Sequence, residues 1–349
     1  MSEAKKEIFP WQQGLYRQLL AMRERLPNGI ILAGPRGIGT FELAHRFALD
    51  LMCETPLESG EACGTCPGCR LAAAGNHPDI RYVLSESEAL PRGLPFDPPS
   101  GSSSSRKNLY EDILIHQPRA LGDFLGLASH RGKNRAVLVY PADRIRADAA
   151  SVFLKMLEEP PANLVFILVA EDLDKVLPTI RSRCRILRAA PPSREEAVAW
   201  LRERGVKNPE EALSEAGGMP LAVFEENAGR VLAPEARATI LSLLSNPASG
   251  SWAADVSAAV PRDWPIEPVA LLLLRWCWDL AAARAGGAPR YFPDSSAALG
   301  DLSRRLSPAP FFKWQAELLQ LRAVAGHPLN SRLVIEQALG AYPGIFSRK

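Results

Sequence analysis

The chain has 349 residues, 47% of them apolar and 23% charged, which excludes a disordered or fibrous protein and leaves room for two or three domains, each with its own core. With 41 basic and 39 acidic residues the formal net charge is only +2, so no whole-chain field draws the protein to nucleic acid or anionic lipid. The N-terminal MSEAKKEIFPWQQ holds no apolar run of signal-peptide length, and stretches such as residues 269–274 are too short to cross a bilayer, so a cytoplasmic location is expected.

In chain order, helical spacing over residues 11–25 gives way at Asn28-Gly29 to a buried-strand run, 30–33, then to a glycine-rich loop and a helix over 41–52. A further helical piece is predicted over 69–74 and a short strand over 80–84. Residues 85–108 contain Pro91, Pro95, Pro98, Pro99 and a serine run, and read as a flexible surface loop with too little apolar surface to order itself. A helix over 118–130, a strand over 136–140, a helix over 147–158 and a strand over 164–169 complete an alternation that predicts an α/β domain with a parallel sheet. After the linker AAPPS at 189–193, residues 194–228 read as short helices broken at Gly217-Gly218. Residues 234–346 carry only helical apolar runs. The expected domains are therefore 1–189, 190–233 and 234–349.

The loop Gly34-Pro35-Arg36-Gly37-Ile38-Gly39-Thr40-Phe41 lies between a strand and a helix, where backbone N–H groups and a helix N-terminus face an anion. Its glycines, Gly34, Gly37 and Gly39, have the spacing of a phosphate-binding loop. A working loop continues with Lys, which neutralises the β and γ phosphates, and Ser or Thr, which holds magnesium. Here those places hold Thr40 and Phe41, so the alternative is a glycine-rich turn with no ligand. The strand over 136–140 should end in acidic residues, yet runs into Tyr140-Pro141, with Asp143 three residues beyond Tyr140.

Cys53, Cys63, Cys66 and Cys69 give the pattern C-x9-C-x2-C-x2-C, with Gly64, Pro67 and Gly68 as turn formers. Four thiolates at this spacing suit one closed, structural zinc ion, the alternative being free cysteines. His77 in Asn76-His77-Pro78-Asp79 is a conceivable spare ligand but is expected to make turn hydrogen bonds. Cys184 and Cys277 stand alone and read as buried apolar thiols.

Residues 151–185, SVFLKMLEEPPANLVFILVAEDLDKVLPTIRSRCR, contain Leu157-Glu158-Glu159-Pro160-Pro161 and Thr179-Ile180-Arg181-Ser182-Arg183-Cys184. This segment resembles the clamp-loader branch of the AAA+ ATPases. The resemblance implies a RecA-like parallel sheet carrying the zinc module at 53–69, a small helical lid at 190–233 and an all-helical oligomerisation collar at 234–349. It further implies that Arg183 is an arginine finger, projecting into the ATP site of a neighbouring subunit and stabilising charge on the transferring phosphate. For a lone arginine the rival role is to cap the helix or pair on the surface. A second family arginine, which senses nucleotide from the lid, would fall at Pro220 and is missing. The segment 112–119 (DILIHQPR) also departs from the family pattern.

With Thr40, Phe41, Tyr140, Pro141 and Pro220 in these places, ATP hydrolysis at the chain's own site is not expected. The implied partners are the ATPase subunits (gamma/tau) and the delta subunit of a hetero-pentameric clamp loader, with the sliding clamp and primed DNA reached through the complex. Two rival functions follow from the same residues. One is an ATP-binding motor subunit of the same family; the other is a zinc-ribbon nucleic-acid binder, against which the balanced charge weighs.

Overall fold

The computed structural model describes residues 8–98, 109–126, 129, 134–224, 232–247, 251–325 and 329–346. They form two compact units, 1–199 and 200–349.

The first unit is built on five strands: β1 (Gly29–Ala33), β2 (Ile80–Leu84), β3 (Arg135–Tyr140), β4 (Leu164–Ala170) and β5 (Arg185–Arg188). They pair in the order β2-β3-β4-β1-β5, and every pairing is parallel. Between them run α1 (Gln13–Ala21), α2 (Thr40–Leu51), α3 (Pro67–Ala73), α4 (Glu86–Ala89), α5 (His116–Arg119), α6 (Gly122–Gly126), α7 (Ala147–Glu158) and α8 (Pro178–Arg181). The three central strands are buried on both faces, so they read as continuous apolar runs, GIILA, RAVLVY and LVFILVA, without the alternation of a half-exposed sheet. Alternate residues still divide the two cores. Ile30, Leu32, Leu138 and Ile167 pack with Leu43, Phe47 and Leu51 of α2. Ile31, Val137 and Phe166 pack on the opposite face with Phe153 and Leu157 of α7.

Three elements differ from the sequence reading, the first being the helix expected over 118–130, which among the described residues is two short helices, α5 and α6. The expected loop at 85–108 begins as structure: α4 and a 3-10 turn, Leu90–Arg92, with Ala89 and Glu88 buried. Its later part, 99–108, lies outside the described residues. β5 was not expected at all. It is an edge strand of four residues, Arg-Ile-Leu-Arg, of which only Leu187 is buried, too short and too charged to announce itself.

After α9 (Arg194–Glu203), the second unit contains α10 (Pro209–Glu215), α11 (Pro234–Ser245), α12 (Trp252–Ala259), α13 (Ile266–Arg284), α14 (Ser296–Arg304), α15 (Pro308–Ala323) and α16 (Ser331–Gly340). Its core is organised by aromatics whose polar ends are satisfied. Tyr342 accepts from Trp276 Nε1 at 2.8 Å and donates to the carbonyl of Leu244 at 2.9 Å, while Trp314 Nε1 donates to the Ala338 carbonyl at 2.8 Å. The fully buried Asp279 of α13 accepts the backbone N–H groups of Arg290, Tyr291 and Phe292 at 2.8, 2.9 and 2.8 Å, which fixes the turn leading to α14. Arg290 Nη2 also donates to the Gly217 carbonyl at 2.9 Å, and Arg275 to that of Glu215. The Gly217-Gly218 break is thereby held against the helical bundle of its own unit. Among the described residues no helix is long and apolar enough to cross a membrane.

Candidate functional site

The glycine-rich loop connects β1 to α2 as its sequence requires. Gly37 and Gly39 have φ of 83° and 85°, in the left-handed region that side chains disfavour, and Gly39 caps α2. The loop is strapped from the N-terminal segment, because Trp11 Nε1 and Gln12 Nε2 both donate to the Ile38 carbonyl at 2.8 Å. Thr40 is buried, and its hydroxyl has no partner among the described residues.

Phe41, at the place where a hydroxyl would hold magnesium, is 6% exposed and packs on Tyr140 at the end of β3, ring centroids 5.2 Å apart. The guanidinium of Arg92 lies over both rings, 4.6 Å from the centroid of Phe41 and 5.3 Å from that of Tyr140. Arg92 pairs with Glu88, whose other oxygen accepts Arg36 Nη1 at 2.9 Å. Arg36 Nη1 is also 3.6 Å from Glu171 Oε1, which accepts the Tyr140 hydroxyl at 2.6 Å. The contacts close a ring: Arg36, Glu88, Arg92, Tyr140, Glu171 and back to Arg36. Burial, with the nearby anions Glu88 and Glu171, pushes the Tyr140 phenol well above its ordinary pKa and keeps it a donor. Asp143 accepts the backbone N–H of Glu171 at 2.9 Å and so anchors the end of β4.

An ATPase of this architecture keeps a cation, a metal ligand and an acidic pair for nucleotide. This chain fills the corresponding positions with its own rings and ion pairs. Arg36, the one cation of the loop, is committed to Glu88 and Glu171. Sequence reasoning missed Glu88 and Arg92 because they lie in a stretch whose composition suggested disorder. Their i, i+4 spacing in ESEALPR was the available signal.

The cysteine cluster forms where α2 ends and α3 begins. The Sγ atoms of Cys53, Cys63, Cys66 and Cys69 all lie within 4.8 Å of one another. Cys53 and Cys66 are 3.9 Å apart, and Cys63 and Cys69 4.0 Å. Four sulfurs at about 2.3 Å from a tetrahedral zinc would be about 3.8 Å apart, whereas a disulfide needs about 2 Å. The donor set therefore fits a metal ion. Backbone N–H groups already support the thiolates: Cys63 N–H donates to Cys53 Sγ at 3.2 Å, Glu54 N–H to Cys66 Sγ at 3.4 Å and Cys69 N–H to Cys66 Sγ at 3.3 Å. The hydroxyl of Thr55, with the backbone of Thr65 and Cys66, lowers the Cys63 thiol to about 5. Gly68 is required by close approach, since a Cβ there would lie 2.4 Å from the Met52 carbonyl oxygen.

The module is tied to the sheet domain by Arg23. Its guanidinium donates to the carbonyls of Asp50, Gly60 and Cys53 at 2.7, 2.9 and 3.0 Å. The fully buried Asp50 accepts the Tyr16 hydroxyl at 2.6 Å and the Ala62 N–H at 3.1 Å. His77 lies outside the thiolate cluster and makes a turn bond, Nδ1 accepting the Asp79 N–H at 3.1 Å. Cys277 is fully buried, and Cys184 is partly buried, its thiol pushed up to about 12 by desolvation.

Arg183 stands two residues beyond α8, partly exposed, on the approach to β5. Its Nη1 donates to the Thr179 carbonyl at 2.9 Å and to Ser182 Oγ at 3.3 Å, and its Nη2 pairs with Glu158 at the end of α7. Pro220, where a sensing arginine would stand, is buried and opens a 3-10 turn, Pro220–Phe224.

A parallel sheet with its loop-bearing strand β1 between β4 and β5, and a glycine loop opening onto α2, define a protein of the AAA+ class. A family model described as DNA polymerase III, delta subunit, matches residues 12–193. The DNA polymerase III subunit delta' of Pseudomonas aeruginosa is 33% identical over 284 residues, 80% of this chain and 78% of that protein. The subunit of the same name from Escherichia coli is 28% identical over 347 residues, covering 95% and 94%. The chain belongs to the DNA polymerase III delta' subunit family. Among solved structures, a DNA polymerase III gamma subunit-related protein from Thermotoga maritima aligns over 95% of this chain and 99% of its own, with 17% identity and a TM-score of 0.43.

Proposed function

We propose that this chain is a non-hydrolysing, stator-like subunit of a DNA polymerase III clamp loader, giving Arg183 in trans to the ATP site of a neighbouring subunit during loading of the sliding clamp onto primed DNA. The observation that carries the reading is a contrast within one domain. Where the glycine-rich loop enters α2, Phe41 packs on Tyr140 with Arg92 over both rings, while Arg183 is left at the surface. The four cysteines would hold a structural zinc, since four thiolates leave no position for water or substrate. The neighbours would be gamma/tau ATPase subunits and a delta subunit. Residues 190–233 would serve as the lid and 234–349 as the oligomerisation collar.

Native mass spectrometry of the assembly recovered through the tagged full-length chain tests the reading. One copy of the chain in a hetero-pentamer with ATPase subunits is the expected result; recovery of the chain alone, or with nucleic acid only, contradicts it. A second measurement concerns the chain's own site. Equilibrium dialysis against labelled ATP should detect no binding tighter than about 1 mM, both for the wild type and for the double variant Thr40→Lys, Phe41→Thr. Restoring the lysine and the hydroxyl still leaves Arg92 on Tyr140 and Arg36 on its carboxylates. Micromolar binding by the wild-type chain would instead favour a motor subunit.

A further inference from the structure

We propose that Glu158 is the positioning residue of Arg183. This rests on the reading of Arg183 as a group that acts in trans. Glu158 is the last residue of α7, and its place is fixed on both sides. Leu157 before it is buried in the core with Phe153, and Pro160-Pro161 after it cannot extend the helix. Arg183 sits on a separate element, two residues past a four-residue helix that by itself offers little rigidity. The two meet at the guanidinium. Nη1 is held from the Arg183 side by the Thr179 carbonyl and Ser182 Oγ, and Nη2 from the α7 side by the carboxylate of Glu158. These contacts leave the Nε–H uncommitted among the described residues, and a planar guanidinium fixed at its far end still presents that edge to an anion.

The pair is half-exposed on both members, with side-chain accessibilities of 35% for Arg183 and 50% for Glu158. An ion pair that open to water contributes little to folding stability. Its consequence lies in orientation. An arginine has four flexible side-chain torsions, and a transferring phosphate is stabilised only by a guanidinium already in place when charge develops. Arg181, two residues earlier, shows the contrast: its guanidinium is directed to Asp174 and the Leu173 carbonyl, away from Glu158.

The test uses the reconstituted clamp-loader complex with primed DNA and compares Glu158→Ala, Glu158→Gln, Arg183→Ala and the double variant Glu158→Ala, Arg183→Ala. In single turnover, Glu158→Ala should slow hydrolysis at the one site that Arg183 serves by about threefold to tenfold with little change in nucleotide affinity, because a misplaced group is lost chiefly from the transition state. Glu158→Gln, which keeps an acceptor oxygen, should restore most of the rate. In the Arg183→Ala background, removing Glu158 should change nothing further. If Arg183→Ala slows the complex but Glu158→Ala does not, the positioning role is wrong and the reading of Arg183 stands. A slowing by Glu158→Ala that persists undiminished without Arg183 also overturns the proposal, since the carboxylate would then act elsewhere. If Arg183→Ala itself has no effect, the underlying reading fails first.

Discussion

A metal ion held by the cysteine cluster is expected to contribute about as much stability as a large buried core side chain. Elemental analysis of the purified full-length chain should find one zinc per chain, and Cys66→Ser should abolish it. Cys66 is the informative position because its sulfur accepts the N–H groups of both Glu54 and Cys69 and it caps α3, so it joins the two halves of the module. A structural zinc in a small isolated peptide supplies on the order of 10–16 kcal/mol of apparent binding free energy. The loss here is smaller, because the module does not depend on metal alone. Arg23 holds three of its carbonyls and Asp50 holds the Ala62 N–H, and these contacts survive without the ion. What is lost is the closure of residues 53–69 and the seating of α3, roughly 3–5 kcal/mol. For a domain of this size that corresponds to a fall in Tm of roughly 10 °C. Hydrogen exchange should localise the change to residues 53–74 and leave β1, β3 and β4 protected. A chain purified without stoichiometric metal, with Cys66→Ser melting like the wild type, would remove the cluster from any structural role.

The parts of this molecule that were legible in sequence share one property: their signal is local. β2 and α7 fall at the residues that their spacing indicated, and β1, β3 and β4 within one residue, since apolar runs bounded by Asn28-Gly29, Pro141 or Pro160 carry their own limits. The four cysteines lie within seventeen positions, and turn residues bring them together whatever the rest of the chain does. Two features escaped for the opposite reason. β5 owes its existence to pairing with β1, which its own residues do not encode beyond the single buried Leu187. The ring around Tyr140 joins residues 36, 88, 92, 140 and 171, and none of these pairings except Glu88 with Arg92 is visible at short range. The loss of the lysine and of the acidic pair was readable as absence. That a buried glutamate, 5% exposed, is held by two arginines beside the loop was not.

Replacing Arg183 with alanine is the change expected to have the largest effect on function with the least on structure. The side chain is partly exposed, and its pairing with Glu158 is of the kind that contributes about 0–1 kcal/mol to folding, so assembly and Tm should be those of the wild type. In trans the same group can matter far more. An arginine directed at a transferring phosphate raises kcat by about 10³ to 10⁵ at the site it serves, because it meets developing charge where water is excluded. In the proposed arrangement one copy of this chain would serve only one neighbouring site, so the whole-complex rate in the presence of primed DNA should fall only by the share of turnover that this site contributes directly or gates. Single-turnover kinetics resolve the difference: one ATP per complex should become slow while the others react normally. Arg183→Lys should recover only part of the lost rate, since an ammonium on a flexible stem cannot keep both the Thr179–Glu158 anchor and a second donor edge. A complex carrying Arg183→Ala that hydrolyses every bound ATP at the wild-type rate would leave Arg183 as a surface residue paired with Glu158, and this subunit with no chemical part in the cycle.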